Sequence, residues 1–304
     1  MTEQVAFIGV GNMGNPMANN LVKAGKKVKV FDVSKNMIEK AKEKKLEVVE
    51  NLDDLITNEV TTVITMLPEG KNSKEVYLGD KGIINKASKN CLLIDCSTID
   101  IKTSIEIGKK ATEKGIKMID APVSGGVMGA QKATLNIMAG GTKEAFDLAL
   151  PLLKIMGKNI FHAGDLGSGN GAKICNNMSL GITMIAASES LMLAKRLNID
   201  IKKVHEIMKN ASGNSWPISV YPPLPGLIEG TPSNNNYRPG FSAGMMNKDL
   251  KLANECAKQV KASTPLGAMA LNIYNKFCEE GNDNKDFSAI SKVIGEDAWD
   301  YPID

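Results

Sequence analysis

The run Phe7-Ile8-Gly9-Val10-Gly11-Asn12-Met13-Gly14 constrains the fold of this chain more than any other feature. It sets a G-x-G-x-x-G pattern between a short apolar stretch, residues 5–8, and an amphipathic one, residues 13–24, that stops at Gly25. Glycines at that spacing belong to a strand that turns abruptly into a helix. Gly9 makes the tight turn, Gly11 lets a ligand come close to the backbone, and Gly14 lets the helix press against the strand. The helix start, with Asn12 and Met13, presents N–H groups and a partial positive charge suited to phosphates.

One such turn means little alone, and its surroundings supply the fold. Short β-rich runs at residues 5–8, 28–31, 46–49, 62–67, 92–96, 117–121, 135–139 and 159–162 alternate with helix-length stretches that end at glycine, among them 13–24, 104–114 and 143–156. Several of the runs are continuously apolar, as strands covered on both faces are. Glycine just past a helix relieves the left-handed C′ position. The pattern predicts an α/β domain of Rossmann type, doubly wound around a mostly parallel sheet, over residues 1–164.

Beyond Gly164 the β signal stops. Gly167-Ser168-Gly169-Asn170-Gly171 reads as a flexible collar, followed by helical periodicity at 172–197, 201–210, 245–260, 265–279 and 288–297. An all-α C-terminal domain over residues 165–304 is therefore expected, with the boundary at 163–167. A Pro-, Gly- and Asn-rich segment between Ser212 and Gly244 reads as a structureless loop of a length that is commonly functional.

Charge and cysteine usage exclude several classes. The formal net charge is +3, from 37 basic and 34 acidic side chains, and the lysines are spread among glutamates. Neither a nucleic-acid nor a membrane partner is expected from such a balance. The most apolar long stretch, 178–194, is broken by Ser188, Glu189 and Ser190 and reads as a buried helix; a bilayer span needs about 20 apolar residues. Cys91, Cys96, Cys175, Cys256 and Cys278 contain no C-x-x-C pair, which fits neither a disulfide framework nor a metal site. They read as small buried hydrophobes in a reducing compartment. With the first strand starting by Val5, no room is left in this chain for a targeting peptide.

The second strand ends at Asp32, 23 residues after Gly9. A carboxylate there can accept both hydroxyls of a ribose and would repel a 2′-phosphate, so NAD is favoured over NADP, with Lys35 softening the repulsion. The next strand ends read Met66-Leu67-Pro68 and Asp95-Cys96-Ser97-Thr98, which turn chemistry explains as well as a cofactor role does. Ala121-Pro122-Val123-Ser124-Gly125-Gly126 follows a strand and can offer backbone N–H groups to a carboxylate, or be a plain turn. Lys173 and Asn177 lie four apart and share a helix face among apolar neighbours. His162 ends a strand and His205 lies on a lysine-rich helix, so neither suits a catalytic base. Trp216, Tyr221 and Phe241 shape a pocket or simply pack.

The blocks FIGVGNMGNPMANNL, ITMLP, IDCSTID, DAPVSGG, GAKICNNM, PLPGLIEGTPSNNNY and GFSAGMMNKDL together resemble the β-hydroxyacid dehydrogenase family from residue 7 to about 252, with a weaker echo in Asp286-Phe287-Ser288. The Pro-rich block with NNY and GF is similar to the branch acting on 3-hydroxyisobutyrate. The resemblance implies NAD-dependent oxidation of a small hydroxy acid, with Lys173 as the catalytic residue. It implies substrate contacts from Ser124, Gly125, Gly126 and Asn177, and NAD contacts from Leu67, Pro68, Asn72, Thr98 and Lys248. It further implies a homodimer or homotetramer, in the mitochondrial matrix of a eukaryote or the cytoplasm of a bacterium. This chain departs from the family at Ala133, where glycine is usual, at Cys96, which replaces a common serine, and at Gly171, which loosens the approach to Lys173. Sister reductases of tartronate semialdehyde, glyoxylate or succinic semialdehyde are the nearest alternative. A non-catalytic NAD-binding scaffold on the same fold is a remote one.

Overall fold

In the computed structural model, which describes residues 4–294, nine strands form one sheet. They are β1 Gln4–Ile8, β2 Lys27–Phe31, β3 Glu47–Val48, β4 Val60–Thr65, β5 Leu92–Asp95, β6 Lys117–Asp120, β7 Val123–Ser124, β8 Leu135–Gly140 and β9 Gly157–Gly164. The spatial order is β3-β2-β1-β4-β5-β6-β8-β7, with β9 on β8. The first six strands are parallel to one another, whereas β8 runs antiparallel to β6 and β7. The order 3-2-1-4-5-6 is that of a dinucleotide-binding sheet, whose ligands lie at the carboxyl ends of the strands beside the crossover between β1 and β4.

Helices α1 Gly14–Lys23, α2 Lys35–Glu43, α3 Leu52–Leu55, α4 Gly70–Leu78, α5 Ile83–Lys86, α6 Ile101–Glu113, α7 Gly126–Gln131 and α8 Lys143–Met156 connect the strands. Successive residues of β1 point to opposite faces. Val5 and Phe7 join Met17, Leu21, Ala149 and Leu152 of α1 and α8 in one core. Ala6 and Ile8 join Tyr77, Ile83, Ile107 and Ala111 in the other. Each Val, Leu, Ile, Phe or Met among them contributes roughly 1.5–3 kcal/mol on burial, which is why these strands carry no polar alternation. Helix α6 starts three residues before the expected Ser104 because the Asp100 carboxylate accepts the Thr103 N–H at 2.8 Å and caps it. The two-residue strand β7 was not expected in the turn before Gly125.

The chain divides into two compact units, Met1–Lys173 and Ile174–Asp304. The 29-residue helix α9, Ser168–Arg196, spans that division. The expected collar at 167–171 is thus a correction: all but its first residue lie inside the helix. Orphan N–H groups at the helix start find a buried acceptor in Asp120, which stiffens a glycine-rich stretch. For the same reason Gly171, whose N–H donates to Gly167 O, does not loosen the approach to Lys173.

The second unit also contains α10 Ile201–Asn210, α11 Trp216–Ser219, α12 Ala243–Gln259 and α13 Pro265–Phe277. On α12 the buried residues Ala243, Met246, Leu250, Ala253 and Ala257 recur at helical spacing, and they pack with Met184, Tyr274 and Phe277. The segment 212–244 is not structureless. It holds α11 and a 3-10 turn at Pro232–Asn234, and Ile218, Leu224 and Leu227 pack against Leu191. Helix is replaced by a 3-10 turn at Phe287–Lys292, and the end of the expected 288–297 segment lies outside the described residues. Cys91 and Cys96 are buried as expected, with burial pushing the Cys91 thiol up to about 12, but Cys175 is exposed. Among the described residues no helix is long and apolar enough to cross a membrane.

Candidate active site

The first unit gathers the proposed nucleotide residues other than Lys248 at the carboxyl ends of neighbouring strands. Gly9 follows β1 with φ +90, a conformation that L side chains avoid, and its N–H donates to Phe31 O at 2.9 Å. A Cβ on Gly14 would overlap the Gly9 carbonyl oxygen, so the helix lies directly on the turn. Gly11 differs: a Cβ there would meet nothing within 4 Å. Asn12 is exposed and Met13 opens α1 with no side-chain cap, leaving the helix start available to an anion. The open approach at Gly11, the uncapped helix and a carboxylate one strand away fit a dinucleotide.

Asp32, at the end of β2, accepts the Val10 N–H through Oδ2 and the Ser34 N–H through Oδ1, each at 2.8 Å. Both bonds fix the carboxylate beside the glycine turn, and each oxygen retains a lone pair for a ribose hydroxyl. Val33, 89% exposed, follows it. Leu67, Pro68 and Thr98 lie in the loops after β4 and β5, and Asn72 in the first turn of α4.

A buried polar chain under those loops had no clear mark in the sequence. Tyr77 OH and Thr65 Oγ1 are 2.8 Å apart, and Thr65 Oγ1 donates to Asp95 Oδ1. Asp95 Oδ1 also accepts the Ser97 N–H, while Ser97 Oγ accepts the Leu67 N–H at 2.8 Å. Burial pushes the Asp95 carboxyl up, against the hydroxyl and N–H donors that favour its charge. The chain ties the two loops to one anchor below the sheet end.

Ser124 ends β7, paired with Asn136 of β8, and Gly125 and Gly126 follow at φ +131 and +61. Positive φ at two consecutive residues turns the backbone into α7; it requires glycine at Gly125 and favours it at Gly126. Asn20 of α1 donates to Ala130 O at 2.7 Å and moors α7 to α1.

Lys173 lies in the second turn of α9 and is 6% exposed. The start of its helix is held by Asp120 at the end of β6: Oδ1 accepts the Gly167 N–H at 2.7 Å and Oδ2 the Asn170 N–H at 2.6 Å. Burial pushes Asp120 up to about 6, with the Asn170 and Gly167 donors pulling the other way. Neither Asp120 nor Asn170 was singled out from the sequence, although a carboxylate closing an apolar strand is the signal that could have found the first.

In the second unit Asn177, 1% exposed, donates to Asp249 Oδ2 at 2.5 Å and accepts from Asn176 Nδ2 at 3.0 Å. Lys248 Nζ lies 3.3 Å from Asp249 Oδ1. Asn177 and Lys248, expected from the resemblance, are therefore linked through one buried carboxylate that the sequence did not single out. The two histidines are occupied by carbonyl oxygens: His162 Nε2 lies 2.7 Å from Gly141 O, and His205 Nε2 lies 2.8 Å from Ile218 O. Trp216, Tyr221, Phe287 and Phe241 form a ring ladder with centroids 4.9–5.6 Å apart. Tyr221 OH donates to Asp286 Oδ2 at 2.9 Å.

Comparison with known proteins agrees over the whole described chain. Residues 4–164 match the family described as the NAD binding domain of 6-phosphogluconate dehydrogenase, and residues 167–294 the family described as NAD-binding of NADP-dependent 3-hydroxyisobutyrate dehydrogenase. A 3-hydroxyisobutyrate dehydrogenase of Pseudomonas aeruginosa is 43% identical over 95% of this chain and 97% of its own. An NAD-dependent L-serine dehydrogenase of the same organism is 40% identical over 96% of this chain and 98% of its own. Among solved structures, a Mycobacterium tuberculosis 3-hydroxyisobutyrate dehydrogenase with L-serine superimposes with a TM-score of 0.91 at 38% identity, covering 97% of this chain and 100% of that one.

Proposed function

The chain belongs to the 3-hydroxyisobutyrate dehydrogenase family of β-hydroxyacid dehydrogenases, and on that footing we propose that it oxidises 3-hydroxyisobutyrate to methylmalonate semialdehyde, a step of valine breakdown, with Lys173 handling the proton. It is an NAD-dependent enzyme acting on the CH–OH group of a small hydroxy acid. The observation that carries the lysine assignment is its burial: a lysine only 6% exposed, near the start of a helix anchored at the carboxyl end of the sheet. Ordinary surface lysines do not lie so.

NAD, when bound, accepts a hydride from the carbon that bears the hydroxyl. The protein must then hold that alcohol and take one proton. In this reading the substrate hydroxyl donates to a neutral Lys173 Nζ. Its proton passes to the amine as the C–H bond breaks and the C–O bond becomes a carbonyl. In reverse the ammonium returns the proton to the carbonyl oxygen. A base must start neutral, and burial disfavours the charged form of a lysine. Such a positioned acid–base group is worth roughly 10²–10⁴ in rate. Ser124, Gly125 and Gly126 would hold the substrate carboxylate through backbone N–H groups and the serine hydroxyl, and Asn177 would be a further substrate contact. Gly9, Gly11, Asn12, Met13 and Gly14 would cradle the pyrophosphate and Asp32 the ribose, with Leu67, Pro68, Asn72, Thr98 and Lys248 as further NAD contacts.

L-serine is the second reading, because one relative is named for its oxidation and one related structure holds it. Both substrates carry a primary hydroxyl two bonds from the carbon that bears a carboxylate. They differ at the middle carbon, which has a methyl group in one and an ammonium in the other. NADH absorbance after mixing protein and NAD with 3-hydroxyisobutyrate, L-serine, glycerate or 4-hydroxybutyrate separates them. The highest kcat/KM is expected with 3-hydroxyisobutyrate; a preference for serine replaces this reading, and equal rates with all four remove it. NADP in place of NAD should be poorly used, because Asp32 repels a 2′-phosphate.

The second unit exposes Leu193, Leu197, Ile207, Leu266 and Met269. Apolar surface of that kind is expected to be covered by a second copy, as a dimer or tetramer, and sedimentation velocity reads the number directly.

A further inference from the structure

Asn170 holds every polar atom of its own except its carbonyl oxygen in one buried junction. Its N–H and Nδ2 both donate to Asp120 Oδ2, at 2.6 and 3.3 Å, and its Oδ1 accepts the Ile99 N–H at 3.0 Å. It is fully buried, as is Asp120. The junction joins three chain segments: the end of β6, the first turn of α9, and the loop after β5 that carries Thr98. There is no slack around it. A Cβ on Gly140 would lie 2.5 Å from Asp120 Oδ1, and one on Gly169 would lie 2.8 Å from Asp120 O and 2.9 Å from its Oδ2.

We propose that Asn170, held by Asp120, is a positioning residue for the dehydrogenase reaction, setting Lys173 against the Thr98 loop through its bond to the Ile99 N–H. The inference rests on the assignment of Lys173 as the proton carrier. Lys173 is three residues along the same helix from Asn170, so a shift of the first turn carries the amine with it. Misplacing a reacting group by about 1 Å can cost as much as 10²-fold. A purely structural polar junction would lower stability without moving the chemistry.

Two variants separate these cases. Asn170→Ala removes the Ile99 bond and leaves Asp120 with its two backbone donors; kcat should fall roughly 10- to 100-fold, with little change in the Kd of NAD. Asn170→Asp keeps an acceptor for the Ile99 N–H but sets a second carboxylate about 3.3 Å from Asp120. Two carboxylates that close share one proton until the pH rises, then repel. The titratable groups around this position are Asp120 on β6, Asp95 behind it on β5, and Lys173 three residues along its own helix. Relative to the unaltered enzyme at the same pH, the Asp variant should therefore keep turnover at acid pH and lose it as the pH rises, while the Ala variant is slow throughout.

Deuterium uptake at the amides of residues 167–173 reads the helix start without reference to catalysis, and should rise in Asn170→Ala. Wild-type turnover in Asn170→Ala, whatever its deuterium uptake, overturns the positioning role. So does an Asp variant that follows the Ala variant at every pH. Lys173→Ala run alongside distinguishes the two layers: an inactive Lys173→Ala beside a fully active Asn170→Ala removes only the positioning role. Near-normal turnover of Lys173→Ala removes the lysine assignment, and the positioning role with it.

Discussion

At Gly11 an added Cβ would meet no atom within 4 Å, whereas at Gly169 it would overlap the Met138 carbonyl oxygen and crowd Asp120. Both glycines sit in glycine-rich stretches at the start of a helix, Gly11 in the turn just before α1 and Gly169 in the first turn of α9, and composition does not tell them apart. The turn at residues 9–14 is kept open on one side so that something from outside can approach the backbone. The helix start around Gly169 is closed, because the Met138 carbonyl and the buried Asp120 carboxylate already fill the space. Glycine in the first leaves room for the proposed cofactor, and glycine in the second serves the fold. The lesson is that a run of glycines predicts close approach and leaves open what approaches.

That contrast can be broken at several points. The largest effect is expected just past the second turn: Lys173→Ala should lower kcat at least ~100-fold with NAD affinity little changed, read by steady-state kinetics and fluorescence titration of NAD. A closed turn should also carry a signature in pH. Asp120 titrates at about 6 in the fold against an ordinary 3.8, so its contribution favours the folded state while protonated and is lost as the pH rises through 6. From this group the unfolding free energy should fall by on the order of 3 kcal/mol between about pH 4 and pH 6 and above. Urea titrations across that range check the slope, which Asp120→Asn should abolish. The two glycines themselves give the direct test. Gly169→Ala should destabilise by about 1–3 kcal/mol through overpacking. Gly11→Ala should leave stability within about 0.5 kcal/mol and instead weaken NAD roughly tenfold. If both substitutions cost stability alike, the contrast is wrong. The smallest effect lies at Ala133, which adopts φ +56. Ala133→Gly should raise stability by about 1 kcal/mol, since an L side chain in that region is strained.

Much of the first unit was legible because its signals are local. Apolar runs covered on both faces, glycine at helix ends and a carboxylate after the second strand each follow from short stretches of chain. Boundaries slipped where a cap decided them, as at Asp100, which starts α6 before the periodicity does. The segment 212–244 was harder: Ile218, Leu224 and Leu227 find partners on Leu191, a contact that no periodicity within the segment announces. The candidate site divides the same way. Gly9, Gly14 and Asp32 carry their reasons in the local sequence, whereas Lys173 and Asn177 were marked chiefly by resemblance. Asp95, Asp120 and Asp249 were passed over because a carboxylate's partner can lie anywhere in the chain.

The order of residues alone determined that a strand would turn into a helix at Gly9, that a parallel sheet would form around it, and that a helical unit would follow. Those outcomes depend on sterics and periodicity within a few residues. Only the tertiary structure decided that the stretch before Lys173 would be rigid, because its stiffness comes from Asp120, 47 residues before Gly167 and 50 before Asn170. A buried charge must find donors wherever the fold brings them, and that requirement can be read only after the chain has closed on itself.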